Sequence, residues 1–310
     1  MIEFLQHCEI DRERWDGCVR SSSAATIFAE YDLLTLSCPQ WSALVEDNYA
    51  AVMPLPWREK AGVKYIYNPF FHSRLGVFSS LEVDTERLDA FVRSIPRSFA
   101  LVELNLNESN PAPDLSSPVQ ISHQISLDSP YDILYQGFST NHKRNIKSAR
   151  ASGLHGCDSV AMPDIIRLFR ENRGRDTRIK MRDADYALFM QLADYAAQRG
   201  LLEVLGARDD EGHLLAGAAF LADGSRRWFW FSGRDEQFAD RKAMFFIMDE
   251  YFRKHAHQPV VLDFNGSKNP NVARFYAGFG GEKYTIPTLH VVRWKWAKGV
   301  FKLYKKIKNN

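Results

Sequence analysis

The sequence predicts an α/β protein with two domains of similar construction. Its 310 residues are about twice the length of an average domain. Apolar residues make up 45% of the chain and charged residues 25%, which allows a sizeable core and excludes a disordered or fibrous protein. The order hairpin, strand, helix, strand occurs at residues 42–106 and again at residues 201–265. This repeated order of elements predicts two related domains.

The first copy carries clear strand, turn and cap signals. Its strands are predicted at residues 42–46, 49–55, 65–71 and 99–106. Asp47 and Asn48 supply the turn between the first two strands, because both side chains favour turn backbone. Asp84 is predicted to cap a helix over residues 84–92. A short helix over residues 11–20 precedes this copy.

The second copy follows a predominantly helical segment. Residues 131–199 predict three helices, separated by glycine and proline. The strands of the second copy are predicted at residues 201–208, 213–221, 227–232 and 259–264. A long amphipathic helix is predicted over residues 240–254. A short helix over residues 271–278 and a final hairpin over residues 283–294 complete the chain.

Charge is distributed unevenly along the chain. Residues 1–130 carry 10 basic and 18 acidic side chains, whereas residues 131–310 carry 30 and 20. An anionic ligand should therefore meet the second half. Residues 139–182 hold 11 of these basic side chains, which predicts either a solvated helical face or a site for a phosphate-rich ligand. Residues 293–310 form a basic tail with interleaved aromatic residues, predicted either to contact an anionic membrane or nucleic acid or to be a partly docked, frayed end.

Several classes of site and location are excluded by the sequence. The four cysteines have no metal-ligand or disulfide-framework spacing, and His255 and His257 are too close for a helical metal pair, so no metal is predicted. Glu3 and Glu9 lie where a secretory signal would be basic and apolar. No uncharged apolar stretch reaches the ~18 residues of a membrane-spanning helix. We therefore expect a cytoplasmic protein.

Two motifs resemble one enzyme superfamily. Residues 271–281, which follow a buried strand, resemble the N-x-x-A-x-x-F/L-Y-x-x-x-G-F pattern near the end of GNAT-superfamily N-acyltransferases, with Ala273 and the closing glycines shifted by one residue. Residues 135–147 resemble the basic helix of FemAB-like and other tandem-GNAT proteins. The resemblance covers residues 131–294 by motif and the first half of the chain by element order.

The resemblance implies two GNAT-like domains with mixed, splayed central sheets flanked by helices. Residues 1–130 would form an N-terminal GNAT-like domain without a catalytic site of its own. Residues 131–294 would form the catalytic domain, and residues 295–310 a basic amphipathic tail. The first function hypothesis is then an N-acyltransferase that moves an acyl group from an acyl-CoA-type thioester to an amine.

Acyl transfer to an amine requires a neutral amine, a place for the developing oxyanion and a proton for the departing thiolate. Tyr276 is the candidate proton donor, since a tyrosine with an ordinary pKa near 10 is protonated at pH 7. Packing beside Phe275 and Phe279 is the alternative role for Tyr276. Asp263 could position water or the amine as part of a base relay, and Asn265 could hydrogen-bond the substrate. Turn chemistry at the strand end is the alternative for the pattern Asp263, Gly266 and Ser267.

The candidate donor site departs from the GNAT pattern. GNAT proteins bind the coenzyme A pyrophosphate at a Q/R-x-x-G-x-G/A turn, and the equivalent residues 237–243 lack both glycines. Asp240 would repel phosphate there. The candidate donor-binding residues are Ser232, Gly233, Gln237, Arg241, Lys242 and Asn271. Acetyl-CoA or another acyl-CoA is the first candidate donor.

Two further hypotheses remain open. A FemAB-like protein would use aminoacyl-tRNA as donor, with a peptidoglycan-like precursor or another amine as acceptor. The candidate substrate-binding residues on the basic helix are Asn141, Lys143, Arg144 and Lys147. In the third hypothesis the protein is a non-catalytic module that binds RNA, a membrane surface or a protein partner.

Overall fold

The computed structural model describes residues 1–113, 120–172, 174, 181–266 and 269–294. It divides into two compact units, which we call unit 1 (residues 1–120 and 285–310) and unit 2 (residues 121–284). The predicted basic tail, residues 295–310, lies outside the described residues.

Unit 1 is a mixed sheet with helices packed on it. Its strands are β1 (Ile2–Gln6), β2 (Trp41–Glu46), β3 (Ala51–Lys60), β4 (Val63–Ile66), β5 (Phe78–Ser79), β6 (Phe99–Asn105) and β14 (Thr288–Val292), in the spatial order β1-β2-β3-β4-β6-β14 with β5 paired to β3. Its helices are α1 (Arg12–Ser21), α2 (Tyr31–Ser37) and α3 (Thr85–Ser94). Trp15, Trp41 and Phe91 are fully enclosed in its core.

Unit 2 repeats this plan. Its strands are β7 (Gln120–Ser126), β8 (His155–Cys157), β9 (Leu202–Arg208), β10 (Leu214–Asp223), β11 (Arg226–Arg234), β12 (Val261–Asp263) and β13 (Glu282–Ile286), in the order β13-β7-β12-β11-β10-β9-β8. Its helices are α4 (Tyr131–Gly137), α5 (Thr140–Arg150), α6 (Met162–Glu171), α7 (Asp183–Gln198), α8 (Ala243–His255) and α9 (Pro270–Ala277).

The predicted internal repeat is confirmed. The series β2, β3, β4, α3, β6 in unit 1 matches β9, β10, β11, α8, β12 in unit 2. In both units the strand before the helix pairs in parallel with the strand after it: β4 with β6, and β11 with β12. A parallel pair of this kind needs a crossover connection, which α3 and α8 supply.

Strand pairing shifts the predicted domain boundaries. β7 pairs with β12 in the sheet of unit 2, and β14 pairs with β6 in the sheet of unit 1. The units therefore divide at residues 120/121 and 284/285 rather than at 130/131 and 294. The predicted final hairpin over residues 283–294 is wrong, because β13 and β14 lie in different sheets.

Other local predictions needed smaller corrections. The strand predicted at residues 65–71 ends at Ile66; the N–H of Tyr67 still donates to the carbonyl of Pro56 on β3, and residues 68–71 lie outside the strand. Within the described part of residues 131–199 there are four helices, α4 to α7, rather than three. Asp84 caps α3 as predicted, accepting a hydrogen bond from the backbone N–H of Arg87 at 2.8 Å.

Candidate functional site

Strands β11 and β12 of unit 2 pair over only three residues and then part. Their last paired residues are Trp228 and Asp263, after which β12 ends whereas β11 continues to Arg234. A β-bulge lies just beyond the last pair, where Phe229 and Phe231 pair with adjacent residues of β10 and Trp230 is the extra residue. A bulge bends its strand and increases its twist. The bulge lies where the pairing of β11 with β12 stops, and a gap separates the two strands beyond it.

A cavity of about 540 Å³ occupies this gap. Aromatic residues form the largest group in its wall, nine of 23 lining residues. The aromatic lining residues are Phe169, Phe229, Trp230, Phe231, Phe238, Phe245, Phe264, Phe275 and Tyr276. Polar and charged groups also line it, among them Asn172, Arg234, Asp235 and Lys242. The cavity therefore combines an apolar interior with polar and charged groups, a composition typical of small-molecule sites.

Tyr276 lies on α9 and lines the cavity. Asn269 starts this helix, since its side chain accepts a hydrogen bond from the N–H of Asn271 at 2.9 Å, and Pro270 takes the first helical position. The Tyr276 ring is 8% exposed and stacks on Phe264 with 4.7 Å between ring centroids. Tyr276 is thus both packed against aromatic residues and part of the cavity wall, and its role as proton donor stays a prediction.

Asp263 does not line the cavity. It is fully buried, and its carboxylate accepts hydrogen bonds from Ser122 Oγ (3.1 Å), Asn265 N (2.8 Å), Arg226 Nη1 (2.9 Å) and Tyr284 Oη (2.6 Å). These donors come from β7, β11, β13 and the loop after β12. Since both carboxylate oxygens are used, the geometry gives Asp263 the task of anchoring the end of β12.

Asn265 does reach the cavity. Its backbone is left-handed (φ 57°), a conformation that asparagine tolerates better than most residues, and Gly266 follows with φ 70°. The hydrogen bond from Asn265 N to Asp263 supports this turn. Asp263 and Asn265 therefore act together in the structure, with only Asn265 exposed to a ligand in the cavity.

The structure brings together four of the six predicted donor-binding residues. Ser232, Gly233, Lys242 and Asn271 line the cavity, whereas Gln237 and Arg241 do not. Arg241 is turned to the main chain of Ser152, to whose carbonyl it donates a hydrogen bond. Packing also requires glycine at position 233, because a Cβ atom there would lie 2.4 Å from the carbonyl oxygen of Ile165 on α6.

Helix α8 begins at the cavity without a side-chain cap. Its N-cap residue, Lys242, has left-handed backbone (φ 56°, ψ 32°) and makes no capping hydrogen bond through its side chain. Within the described residues no ion pair involves the Lys242 ammonium group. Asp240 is exposed and does not line the cavity. A helix N-terminus with a lysine beside it favours an anion.

The predicted substrate-binding residues lie elsewhere in unit 2. Asn141, Lys143, Arg144 and Lys147 are on α5, and none of them lines the cavity. Lys143 donates to the carbonyl of Gln136 at 2.8 Å, and Arg144 donates to Asn141 Oδ1 at 2.9 Å. The exposed basic face of α5 is thus separate from the cavity wall.

Sequence reasoning missed a buried histidine on the same helix. His142 is 3% exposed and hydrogen-bonded to Ser139 and to the main chain of Phe275, and burial lowers its pKa below the ordinary value. It also missed the aromatic wall, for which the alternating Trp and Phe residues of β11 were the available signal. Nothing local marked His142, since its partner on α9 is 133 residues away.

In the described part of the chain, the single group of close potential metal ligands is Asp209, Glu211 and His213 in the β9–β10 turn. Asp209 accepts hydrogen bonds from the main chain and ring of His213 there, at 2.8 and 3.2 Å. These contacts stabilise a turn. No helix in the described residues is both long and apolar enough to cross a membrane.

Most of the residues that line the cavity lie within the range of a known domain family. Residues 136–273 match the family described as acetyltransferase (GNAT) domain. The chain has the tandem-GNAT, FemAB-like fold, as its sequence resemblance predicted. No curated protein matches it in sequence.

Three solved structures illustrate the likeness in fold. FemX superimposes with a TM-score of 0.64 at 13% identity, covering 97% of this chain and 99% of that one. A tandem GNAT protein from the clavulanic acid biosynthesis pathway gives 0.56 at 14% identity, covering 95% and 99%. The C-terminal domain of a putative lysylphosphatidylglycerol synthetase from Agrobacterium fabrum gives 0.54 at 13%, covering 96% of both chains. The match to the GNAT domain supports acyl transfer as the general reaction class.

Proposed function

We propose that the protein is an N-acyltransferase whose active site is the cavity between β11 and β12. One observation carries this proposal: the phenol-bearing residue Tyr276 and the uncapped start of α8 line the same cavity. A donor with an activated carbonyl and an anionic group needs both features. Unit 2 supplies them where its parallel strands part.

The proposed reaction is an aminolysis of the donor. The neutral amine nitrogen of the acceptor attacks the donor carbonyl carbon and forms a C–N bond. The tetrahedral intermediate then collapses, and the bond to the leaving sulfur or oxygen breaks. The phenol of Tyr276 protonates the leaving group, the nitrogen loses its proton to water, and water restores the phenol. Asn265, at the cavity wall, is proposed to hydrogen-bond the substrate.

The first proposed donor is an acyl-CoA. The backbone N–H groups of Ala243 and Met244 at the start of α8 and the ammonium group of Lys242 would hold its pyrophosphate. Asp240, which the sequence suggested would repel phosphate, is exposed and off the cavity wall. The aromatic wall near Tyr276 favours an apolar acyl group. Ser232 and Asn271 are the other cavity residues proposed to contact the donor.

Aminoacyl-tRNA is the second proposed donor. Two observations favour it: the fold likeness to FemX, and the exposed basic residues of α5, which a polyanion could contact. Arg144 and Lys147 are exposed on that helix. In this version α5 would hold the tRNA backbone while its aminoacyl end enters the cavity.

Donor identity is tested by binding. Calorimetry with coenzyme A and acetyl-CoA would be run beside filter binding with charged tRNA, for the wild type, Lys242→Gln and Lys147→Gln. An acyl-CoA donor predicts coenzyme A binding that Lys242→Gln weakens and Lys147→Gln leaves unchanged. A tRNA donor predicts tRNA binding that Lys147→Gln weakens, with a smaller salt dependence. Binding of neither ligand would contradict both donors.

The role of Tyr276 is tested by removing its hydroxyl group. Tyr276→Phe should lower turnover by about 100-fold or more, because a positioned general acid contributes about 10²–10⁴-fold, while donor binding stays close to wild type. Tyr67→Phe is the control, since Tyr67 is a tyrosine of unit 1 with a buried hydroxyl group that does not line the cavity. Wild-type turnover in Tyr276→Phe would remove this residue from the mechanism.

A further inference from the structure

His142 connects two helices beside the cavity through both of its ring nitrogens. Nε2 lies 2.8 Å from the carbonyl oxygen of Phe275, and Nδ1 lies 3.0 Å from Ser139 Oγ. A carbonyl only accepts hydrogen bonds, so Nε2 carries the proton and Nδ1 accepts from the Ser139 hydroxyl. Burial lowers the pKa of His142, which favours this neutral form.

The ring fits a site formed by aromatic residues and one glycine. Its centroid lies 4.6 Å from that of Phe279 and 5.0 Å from that of Phe245, both edge to face. A Cβ atom on Gly278 would overlap the imidazole ring. The backbone N–H of Ser139 also donates to the carbonyl of Gly278 at 2.8 Å. The N-terminal turn of α5 is thus fastened to the end of α9 by two hydrogen bonds.

The carbonyl that His142 binds belongs to the peptide group just before Tyr276. Carbonyls in the last turn of a helix lack intrahelical partners. The N–H of Phe279, which would otherwise bond to Phe275, bonds to Tyr276 instead. Because a peptide group is planar, a hydrogen bond at the Phe275 oxygen orients the plane that contains Tyr276 N. The direction of the Tyr276 side chain follows from that plane.

We infer that His142 is a positioning residue, which holds α9 so that the phenol of Tyr276 faces the donor in the cavity. This inference rests on the proposed function of Tyr276. His142 does not line the cavity itself and acts through the main chain of Phe275. Phe245 and Phe275, which contact the His142 ring, both line the cavity, so the same side chain also supports two of its walls.

The test compares a variant of His142 that has no hydrogen-bond donor with a variant that keeps one. In His142→Leu the apolar packing remains but the Phe275 carbonyl loses its partner. In His142→Gln the side-chain amide can still donate to that carbonyl. We expect His142→Leu to lower kcat by about 10- to 100-fold with little change in donor KM, because a misplaced catalytic group costs rate more than binding. His142→Gln should recover most of this loss.

A spectroscopic measurement reads the position of residue 276 without activity. In protein labelled with 3-fluorotyrosine, the resonance of residue 276 is assigned by its loss in Tyr276→Phe. It should shift or broaden in His142→Leu and return in His142→Gln. His72→Gln, at a buried histidine of unit 1, is the control and should leave this resonance unchanged.

The two measurements separate the inference from the proposed function. An unchanged resonance in His142→Leu overturns the positioning role whether or not the protein transfers acyl groups. A perturbed resonance in a protein that transfers no acyl group supports the link between His142 and residue 276 and contradicts the proposed function. A perturbed resonance with wild-type kcat and KM would show that the contact of His142 with α9 does not affect catalysis, and this outcome overturns the positioning role.

Discussion

Units 1 and 2 share a strand order but differ where their parallel strands end. In unit 2 the chain leaves a cavity beyond the last pair, Trp228 and Asp263. In unit 1 the last pair is Ile66 and Val102, and the chain after β4 stays bonded to the end of β6. Leu75 forms a parallel bridge with Leu106 there. A second cavity in unit 2 lies between α6 and α7, away from this gap.

The helices that follow the paired strands also differ. In unit 1, α3 begins with Asp84, whose carboxylate occupies the N–H of Arg87. In unit 2, α8 begins with Lys242 and has no side-chain cap. An acidic cap satisfies the helix N-terminus and repels an anion, whereas the uncapped start with a lysine attracts one. The candidate donor site of unit 2 therefore depends on local departures from the strand and helix plan that the two units share.

The largest expected effect concerns the residue that ends β12. Asp263→Asn should destabilise unit 2 by about 3 kcal/mol, because it leaves Arg226 without its buried partner and places an amide N–H₂ among hydrogen-bond donors. Urea unfolding followed by tryptophan fluorescence measures the loss. Glu103→Gln, at an exposed carboxylate on β6 of unit 1, is the control and should change stability by less than about 0.5 kcal/mol. Equal stability of both variants would contradict the anchoring role of Asp263.

The next expected effect, of intermediate size, is a loss of stability in acid caused by His72, the buried histidine of unit 1. Burial lowers the pKa of His72 to about 3, whereas the unfolded chain has the ordinary value of about 6.5. The unfolded state therefore binds the proton first, and stability falls as pH drops below 6.5 and continues to fall until about 3. Between pH 7 and pH 5 the loss from this group is about 2 kcal/mol.

Urea unfolding of the wild type and of His72→Gln at pH 7 and pH 5 measures this loss of stability. The variant should lose less stability over the interval, by the amount that His72 contributed. His142→Gln should shift the pH dependence in the same direction, because burial lowers the pKa of His142 too. Identical pH dependence in the wild type and both variants would show that these rings are protonated without cost in the folded protein.

The smallest expected effect contrasts the two helix starts. Lys242→Gly should stabilise the protein by about 1 kcal/mol, because glycine adopts a left-handed backbone without a Cβ clash. Asp84→Ala should destabilise it by about 1 kcal/mol, because it removes the cap of α3. Thermal unfolding measures both changes. Lys242→Gly should at the same time weaken coenzyme A binding, and stronger binding would contradict the proposed contact of the ammonium group with phosphate.

Much of the fold was predictable because its signals are local. The Asp84 cap and the repeated order of strands and helices follow from the spacing of apolar residues and from single capping side chains. The candidate site was predictable only in part. Tyr276, Ser232 and Lys242 line the cavity as their motif positions suggested, whereas Arg241 turns to the main chain of Ser152, a contact 89 residues away in sequence.

The sequence by itself determined most of the strand and helix segments, because strand and helix periods are properties of a few consecutive residues. The tertiary structure decided which strands pair, so that β7 and β14 join sheets that their positions in the chain do not suggest. It also decided that β11 bends at Trp230 and leaves a cavity, and that His142 binds the peptide before Tyr276. These features depend on contacts between residues far apart in the chain, whose energies no local pattern encodes.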